Sequence, residues 1–216
     1  MCDWLLCSMK RSICVAFLMG LMVHAASAQQ HRYSIHPNDA SRLELHVFKT
    51  GLYRGKSHTF LFPSYRGTLV HDIHTPEASH IELTLDAGSV KCLDTWLSAK
   101  DLKTVQEYAL NEMLAANRYP EILFVSSDMH SVGENRFEVL GALTIRGITK
   151  PTTVDVTFQE SDALLMFRGS ATVRLTDYGL KQPKALLGTI GTKNEMEFSF
   201  SLELRAVQGP DHSRPI

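Results

Sequence analysis

From residue 195 to residue 204 the chain alternates without a break. Met196, Phe198, Phe200, Leu202 and Leu204 are apolar, and Glu195, Glu197, Ser199, Ser201 and Glu203 are polar. A period of two sends successive side chains to opposite faces of an extended backbone, so this segment is a strand with one dry face and one wet one. The pattern recurs with Leu43, Leu45 and Val47 against Arg42, Glu44 and His46, and with Ile81, Leu83 and Leu85 against Glu82, Thr84 and Asp86. It returns with Val154, Val156 and Phe158 against Asp155 and Thr157. One-sided strands belong to antiparallel sheets, because parallel sheets bury both faces. Less regular strands are predicted over 32–35, 59–62, 68–71, 121–127, 136–145 and 164–175, with turns at Pro37-Asn38-Asp39 and Gly133-Glu134-Asn135. So many strands in one chain must close or stack to hide their edges, so an all-β barrel is expected.

One segment has a different period. From Ser98 to Ala116, Leu102, Val105, Ala109 and Met113 recur every three or four residues, the spacing of one helix face. Ser98 is a candidate N-cap with Asp101 three residues on, and Asn117 and Pro120 end the segment. The expectation is a single helix of about five turns inserted in a β-chain and packed on a barrel end or wall.

The N-terminus reads as a targeting segment. Lys10-Arg11 precedes the uncharged run Ile13 to Val23 and then Ala26-Ser27-Ala28, which together have the form of a cleaved secretory signal peptide. The apolar run is short of the roughly 20 residues that span a bilayer, so no stable membrane anchor is expected. Residues 1–28 are assigned to the signal peptide, cut after Ala28 and starting at Met1 or Met9. Residues 29–216 form a single domain, periplasmic or secreted. Cleavage removes Cys2, Cys7 and Cys14, leaving Cys92 with no partner for an internal disulfide. It is read as a small buried residue rather than a nucleophile; a homodimer stays open. The formal net charge of −1 argues against a general binder of nucleic acid or anionic membranes.

Motifs for covalent chemistry are absent from the sequence: no G-x-S-x-G elbow, P-loop, G-x-G-x-x-G or H-E-x-x-H occurs. His71 and His74 flank Asp72, but the spacing lacks a third ligand and puts the side chains on opposite faces of a strand. They are read as solvated, and no metal site is assigned. His58, beside Phe60 and Phe62, sits where a strand enters the interior. It is a satisfied structural histidine or a contact for a polar headgroup, with Arg54, Lys56 and Arg66 as a basic mouth. An enzymatic role pairing His58 with Asp72 or Glu44 is the weakest reading, because no nucleophile or metal accompanies them.

The inner register predicts an apolar lining of Leu45, Val47, Phe60, Phe62, Phe124, Phe137, Val139, Phe158, Phe167, Phe198 and Phe200. Eight phenylalanines in a small barrel either fill it or surround a lipophilic cavity, and periodicity alone does not separate the two.

The segment Leu143-Thr144-Ile145-Arg146-Gly147-Ile148-Thr149-Lys150-Pro151, continuing through Phe158, resembles the signature hairpin of the YceI-like family. Three further pieces follow that family's order: Tyr33-Ser34-Ile35-His36-Pro37, Arg118-Tyr119-Pro120-Glu121-Ile122-Leu123-Phe124 and Leu175-Thr176-Asp177-Tyr178-Gly179-Leu180. The resemblance implies a lipocalin-like, extended antiparallel β-barrel with one inserted α-helix, exported to the bacterial periplasm. It implies a carrier of a long amphiphilic lipid, such as a polyisoprenoid or an isoprenoid quinone, with no resident cofactor and no catalytic motif. The alternative is a stress-related structural or interaction protein whose barrel is filled. Leu114-Ala115-Ala116-Asn117 stands where an aromatic pair often precedes Tyr-Pro, which marks a divergent member.

Overall fold

Twelve strands form one antiparallel sheet in the computed structural model, which describes residues 30–72, 74–161, 164–185 and 189–205. The signal peptide read in residues 1–28 lies outside the described residues. The first six strands are β1 (Gln30–Ile35), β2 (Arg42–Gly51), β3 (Ser57–Leu61), β4 (Tyr65–Asp72), β5 (His80–Asp86) and β6 (Lys91–Cys92). The others are β7 (Glu121–Gly133), β8 (Arg136–Ile145), β9 (Ile148–Ser161), β10 (Leu164–Arg174), β11 (Lys184–Ala185) and β12 (Ile190–Arg205).

The hydrogen-bonded order is β1-β4-β5-β7-β8-β9-β10-β12-β2-β3-β6, with β11 on β12. β3 and β4 lie near opposite ends of this path, yet only Phe62, Pro63 and Ser64 separate them. All pairings are antiparallel, so β3 and β4 run in the same direction and act as one bent strand. Its first half pairs with β2 and its second with β5, and three residues span at most about 11 Å. The chain itself therefore closes the circuit β2, β3–β4, β5, β7, β8, β9, β10, β12. β1 and β6 cover its flanks.

The helix is shorter than its periodicity suggests. α1 (Ala99–Tyr108) is capped by Ser98, whose Oγ accepts from the Asp101 amide at 3.1 Å. A π-helical turn follows at Ala109–Met113, and Ala115 turns the chain with φ 47°. The wider turn sets both Ala109 and Leu114 into the core. The Arg146 guanidinium donates to the carbonyls of Glu112 and Met113, at 3.0 and 3.3 Å, and so fixes the turn over the barrel end.

The strand predicted over 121–127 runs on to Gly133, because bulges at Ser126/Asp128 and Ser131/Gly133 break the period of two that would have marked it. His71 corrects another expectation. His74 is exposed, but His71 shares the inward face of β4 with Leu69. It is buried, stacks on Phe158 with ring centroids 4.8 Å apart, and its Nδ1 lies 2.9 Å from Ser79 Oγ. Burial pushes its pKa down. Asp72 accepts from the amides of His74 and Thr75 and shapes the turn that follows.

Two glycines make room for rings on the inner face. A Cβ at Gly141 would lie 2.6 Å from both Phe124 Cζ and the Val125 carbonyl oxygen. One at Gly169 would lie 2.4 Å from the Asp155 oxygen and 2.6 Å from Phe200 Cζ.

Candidate functional site

The barrel interior is filled at one end and open at the other. Away from α1, Phe137, Phe158, Phe167 and Phe200 form a continuous column. Successive centroids are 5.4, 5.0 and 4.9 Å apart, with His71 stacked on its side. These spacings are those of tight aromatic packing. Beneath α1 lies a cavity of about 300 Å³, and a smaller one of about 70 Å³ lies deeper. Ile122 and Phe198 line both and form the partition.

The predicted lining residues divide among these regions. Leu45, Val47, Phe60, Phe198 and His58 line the larger cavity. Phe124, Val139, Phe167, Phe198 and Phe200 line the smaller one. Phe62, Phe137 and Phe158 line neither: Phe62 is fully buried just past β3, and the other two belong to the column. Arg54 is exposed in the β2–β3 turn and lines neither cavity. Of the basic mouth drawn from Arg54, Lys56 and Arg66, none lines either cavity: Arg66 is paired with Glu121 at 2.6 Å and Lys56 lies over the Trp96 ring. Lys49 and Lys184 line the larger cavity instead.

Most of the larger cavity's wall is apolar. α1 and its π turn supply Val105, Tyr108, Ala109 and Met113, and the barrel supplies Ile145, Leu175, Leu180 and Met196. Its polar groups are Lys49, His58, Thr104, Tyr108, Lys184 and Thr192. Lys49 and Thr192 are cross-strand neighbours on β2 and β12. Burial pushes the Lys49 pKa down, while Asp94 pulls it back up. The Thr192 Oγ1 is buried without a hydrogen-bond partner, so the cavity wall holds one unspent donor and acceptor.

His58 is held from behind. Its Nδ1 lies 2.5 Å from Asp94 Oδ2, and the other carboxylate oxygen accepts from the Thr59 amide at 2.9 Å. A carboxylate only accepts, so Nδ1 carries the proton and Nε2 of the neutral ring is left as an acceptor. Burial lowers the His58 pKa despite Asp94, which favours that neutral form. Trp96 stacks on His58 at 5.5 Å, and Tyr53 lies 5.7 Å beyond Trp96. Asp94, rather than Asp72 or Glu44, is therefore the partner of His58; no local pattern in the sequence marked it.

His58, Cys92 and Asp94 also bring three potential metal-ligand atoms within 4.8 Å of one another. His58 and Asp94 are hydrogen-bonded directly, and burial pushes the Cys92 thiol up to about 11. The trio stands behind the cavity wall at His58. Gln106 ties it to the helix, accepting from the Cys92 amide and donating to the Val90 carbonyl, each at 2.7 Å.

Among the described residues, no helix is long and apolar enough to cross a membrane. Comparison with solved structures places the fold. It is similar to Burkholderia cenocepacia BcnA, with TM-score 0.62 and 20% identity over 76% of this chain and 95% of that one. It is also similar to the Campylobacter jejuni YceI protein, with TM-score 0.56 and 14% identity over 69% of this chain and 85% of that one. Among curated proteins, UPF0312 proteins of Pseudomonas savastanoi and Pseudomonas putida are each 31% identical, over 128 and 135 residues. These matches span 56% and 60% of this chain and 63% and 67% of the relatives. A profile of the YceI-like domain matches residues 33–204, and the closed lipocalin-like barrel with its single helix agrees with it: the chain belongs to the YceI-like family.

Proposed function

We propose that the protein is a periplasmic carrier that holds the tail of an amphiphilic lipid, an isoprenoid lipid or quinone, in the cavity beneath α1. The observation that carries this reading is an apolar void of about 300 Å³ whose wall also holds Lys49, His58 and the unpartnered Thr192 hydroxyl. A void in a packed core forfeits dispersion and transfer energy, so an empty one is a cost that a ligand removes. At roughly 30 Å³ per water-sized group, the space takes about ten methylene-sized groups. Each buried CH₂ contributes about 0.8 kcal/mol, so such a tail supplies about 8 kcal/mol before the costs of association. A longer isoprenoid needs the Ile122–Phe198 partition to open into the smaller cavity. Lys49 and Thr192 donate to a headgroup oxygen, and His58 orients it; no covalent step is required. The alternative, a filled barrel acting through its surface, draws support from the aromatic column.

The test is mass spectrometry of organic extracts from protein purified from its native periplasm without detergent. A stoichiometric isoprenoid or quinone is expected. Nothing bound, with no rise in melting temperature on adding such lipids, overturns the carrier reading in favour of the filled barrel.

A further inference from the structure

We propose that the helix-bearing end of the barrel docks reversibly on the surface of an anionic lipid bilayer, with the β2–β3 hairpin tip as its insertion point. The near-neutral net charge hides a polarised distribution. Segments 49–57 and 179–193 contain Lys49, Arg54, Lys56, Lys181, Lys184 and Lys193 and no acidic residue. They are neighbours in space, since Gly51 pairs with Ile190 and the Leu52 amide donates to the Thr189 carbonyl. The acids Asp94, Asp101, Glu107, Glu112, Asp177 and Glu195 of this end lie outside the two segments; Asp94 is buried against His58, Lys103 pairs with Glu107 at 3.8 Å and Arg174 with Glu195 at 3.9 Å. At the opposite end Asp39, Glu77, Glu134 and Glu160 stand against Arg42, Arg136 and Arg205, so that end has no basic excess. A molecule charged in this way turns its basic end toward an anionic surface at little cost in net attraction or repulsion.

The hairpin tip adds an apolar element at the centre of the basic face. Leu52 is 77% exposed and Tyr53 is 43% exposed, the former the most exposed large apolar side chain among the described residues. The tip is a fixed turn, closed by hydrogen bonds from the Arg54 amide to the Gly51 carbonyl and from the Lys56 amide to the Tyr53 carbonyl. Tyr53, Trp96 and His58 stack in sequence from the tip to the cavity wall, and Lys56 lies over Trp96. An exposed leucine beside tyrosine and tryptophan, ringed by lysine and arginine, fits the headgroup boundary of a bilayer. Lys49 and Lys184 of these segments also line the cavity, so a docked molecule holds the cavity next to the membrane. The docking itself does not depend on what the cavity holds.

Co-sedimentation with vesicles of phosphatidylglycerol and phosphatidylcholine, against vesicles of phosphatidylcholine alone, tests the proposal. Binding to the anionic vesicles is expected, weakening as salt is raised. Arg54→Gln/Lys56→Gln should weaken it about 30-fold, at about one kilocalorie per charge, and Leu52→Ser severalfold. Arg42→Gln/Arg136→Gln, on the opposite half, should leave it unchanged. A cavity-filling Val47→Trp variant should still dock while losing any lipid cargo, which separates failure of docking from failure of the carrier reading. Absence of binding at low salt, equal binding to both vesicles, or equal losses from the two arginine-containing pairs of substitutions overturns the proposal; the first leaves the face to a protein partner.

Discussion

Asp94 is the residue whose removal should reach furthest. Its side chain is 1% exposed, and its two oxygens accept from the Thr59 amide and from His58 Nδ1, at 2.9 and 2.5 Å. Asp94→Ala leaves both donors buried and unpaired. Such groups cost about 1–3 kcal/mol each, so a loss of about 3–4 kcal/mol is expected. Asp94→Asn keeps the shape and one acceptor. The His58 ring can then move its proton to Nε2 and accept from the amide, so about half the loss should return. Urea unfolding followed by circular dichroism reads this directly: the midpoint should fall while the slope stays constant, because the folded surface is unchanged. Asp94 raises the His58 pKa, so in Asp94→Asn the imidazole should titrate lower than in the parent protein by NMR. A stability loss below about 0.5 kcal/mol in Asp94→Ala, within the range of ordinary surface substitutions, would refute the reasoning. So would a rise in the His58 pKa.

Acid should destabilise the fold through buried histidines. Burial holds both His58 and His71 below the ordinary value of about 6.5, so the unfolded chain binds more protons just below that pH. Stability should therefore be level above about pH 7 and fall on acidification through 6.5, with a shallower fall in His71→Leu; thermal melts that improve on mild acidification contradict this. Gly169→Ala should cost about 2–3 kcal/mol in chemical denaturation, because the new methyl meets the Asp155 carbonyl and the Phe200 ring, and an unchanged midpoint would show that β9 yields freely. Phe198→Ala removes the partition between the two cavities, at a cost of about 3 kcal/mol, and should shift preference toward longer-tailed amphiphiles in competition binding. An unaltered preference would mean that the partition does not set tail length.

The strands were legible where one face stays dry, as over 43–47 in β2, 81–85 in β5 and 196–204 in β12. The second half of β7 was not, because each bulge advances the chain by a residue and inverts the pattern. α1 was legible from its cap and its apolar face, whereas the π turn at Ala109–Met113 leaves no compositional mark. The candidate site was legible only as a set of inward faces. Alternation reports that Phe60 and Phe158 both face inward; it carries no information on which stands beside a void and which is stacked between two other rings. Lys49, Asp94 and Thr192 were invisible for another reason. Each acquires its role from a partner on a different strand or across a loop, at separations no short window spans.

Closing the barrel through β12 and β2 also sets the order in which the molecule can form. These strands pair residues about 150 positions apart, such as Leu45 with Phe198, whereas β7, β8, β9 and β10 join through short hairpins. Local hairpins form early and distant pairs late, because loop closure must precede the contacts that reward it. The central meander can therefore collapse while β2 still waits for the end of the chain. Throughout that wait the β2 ladder edge is exposed, a ready template for a second copy. A chain ending before residue 190 would never leave that state.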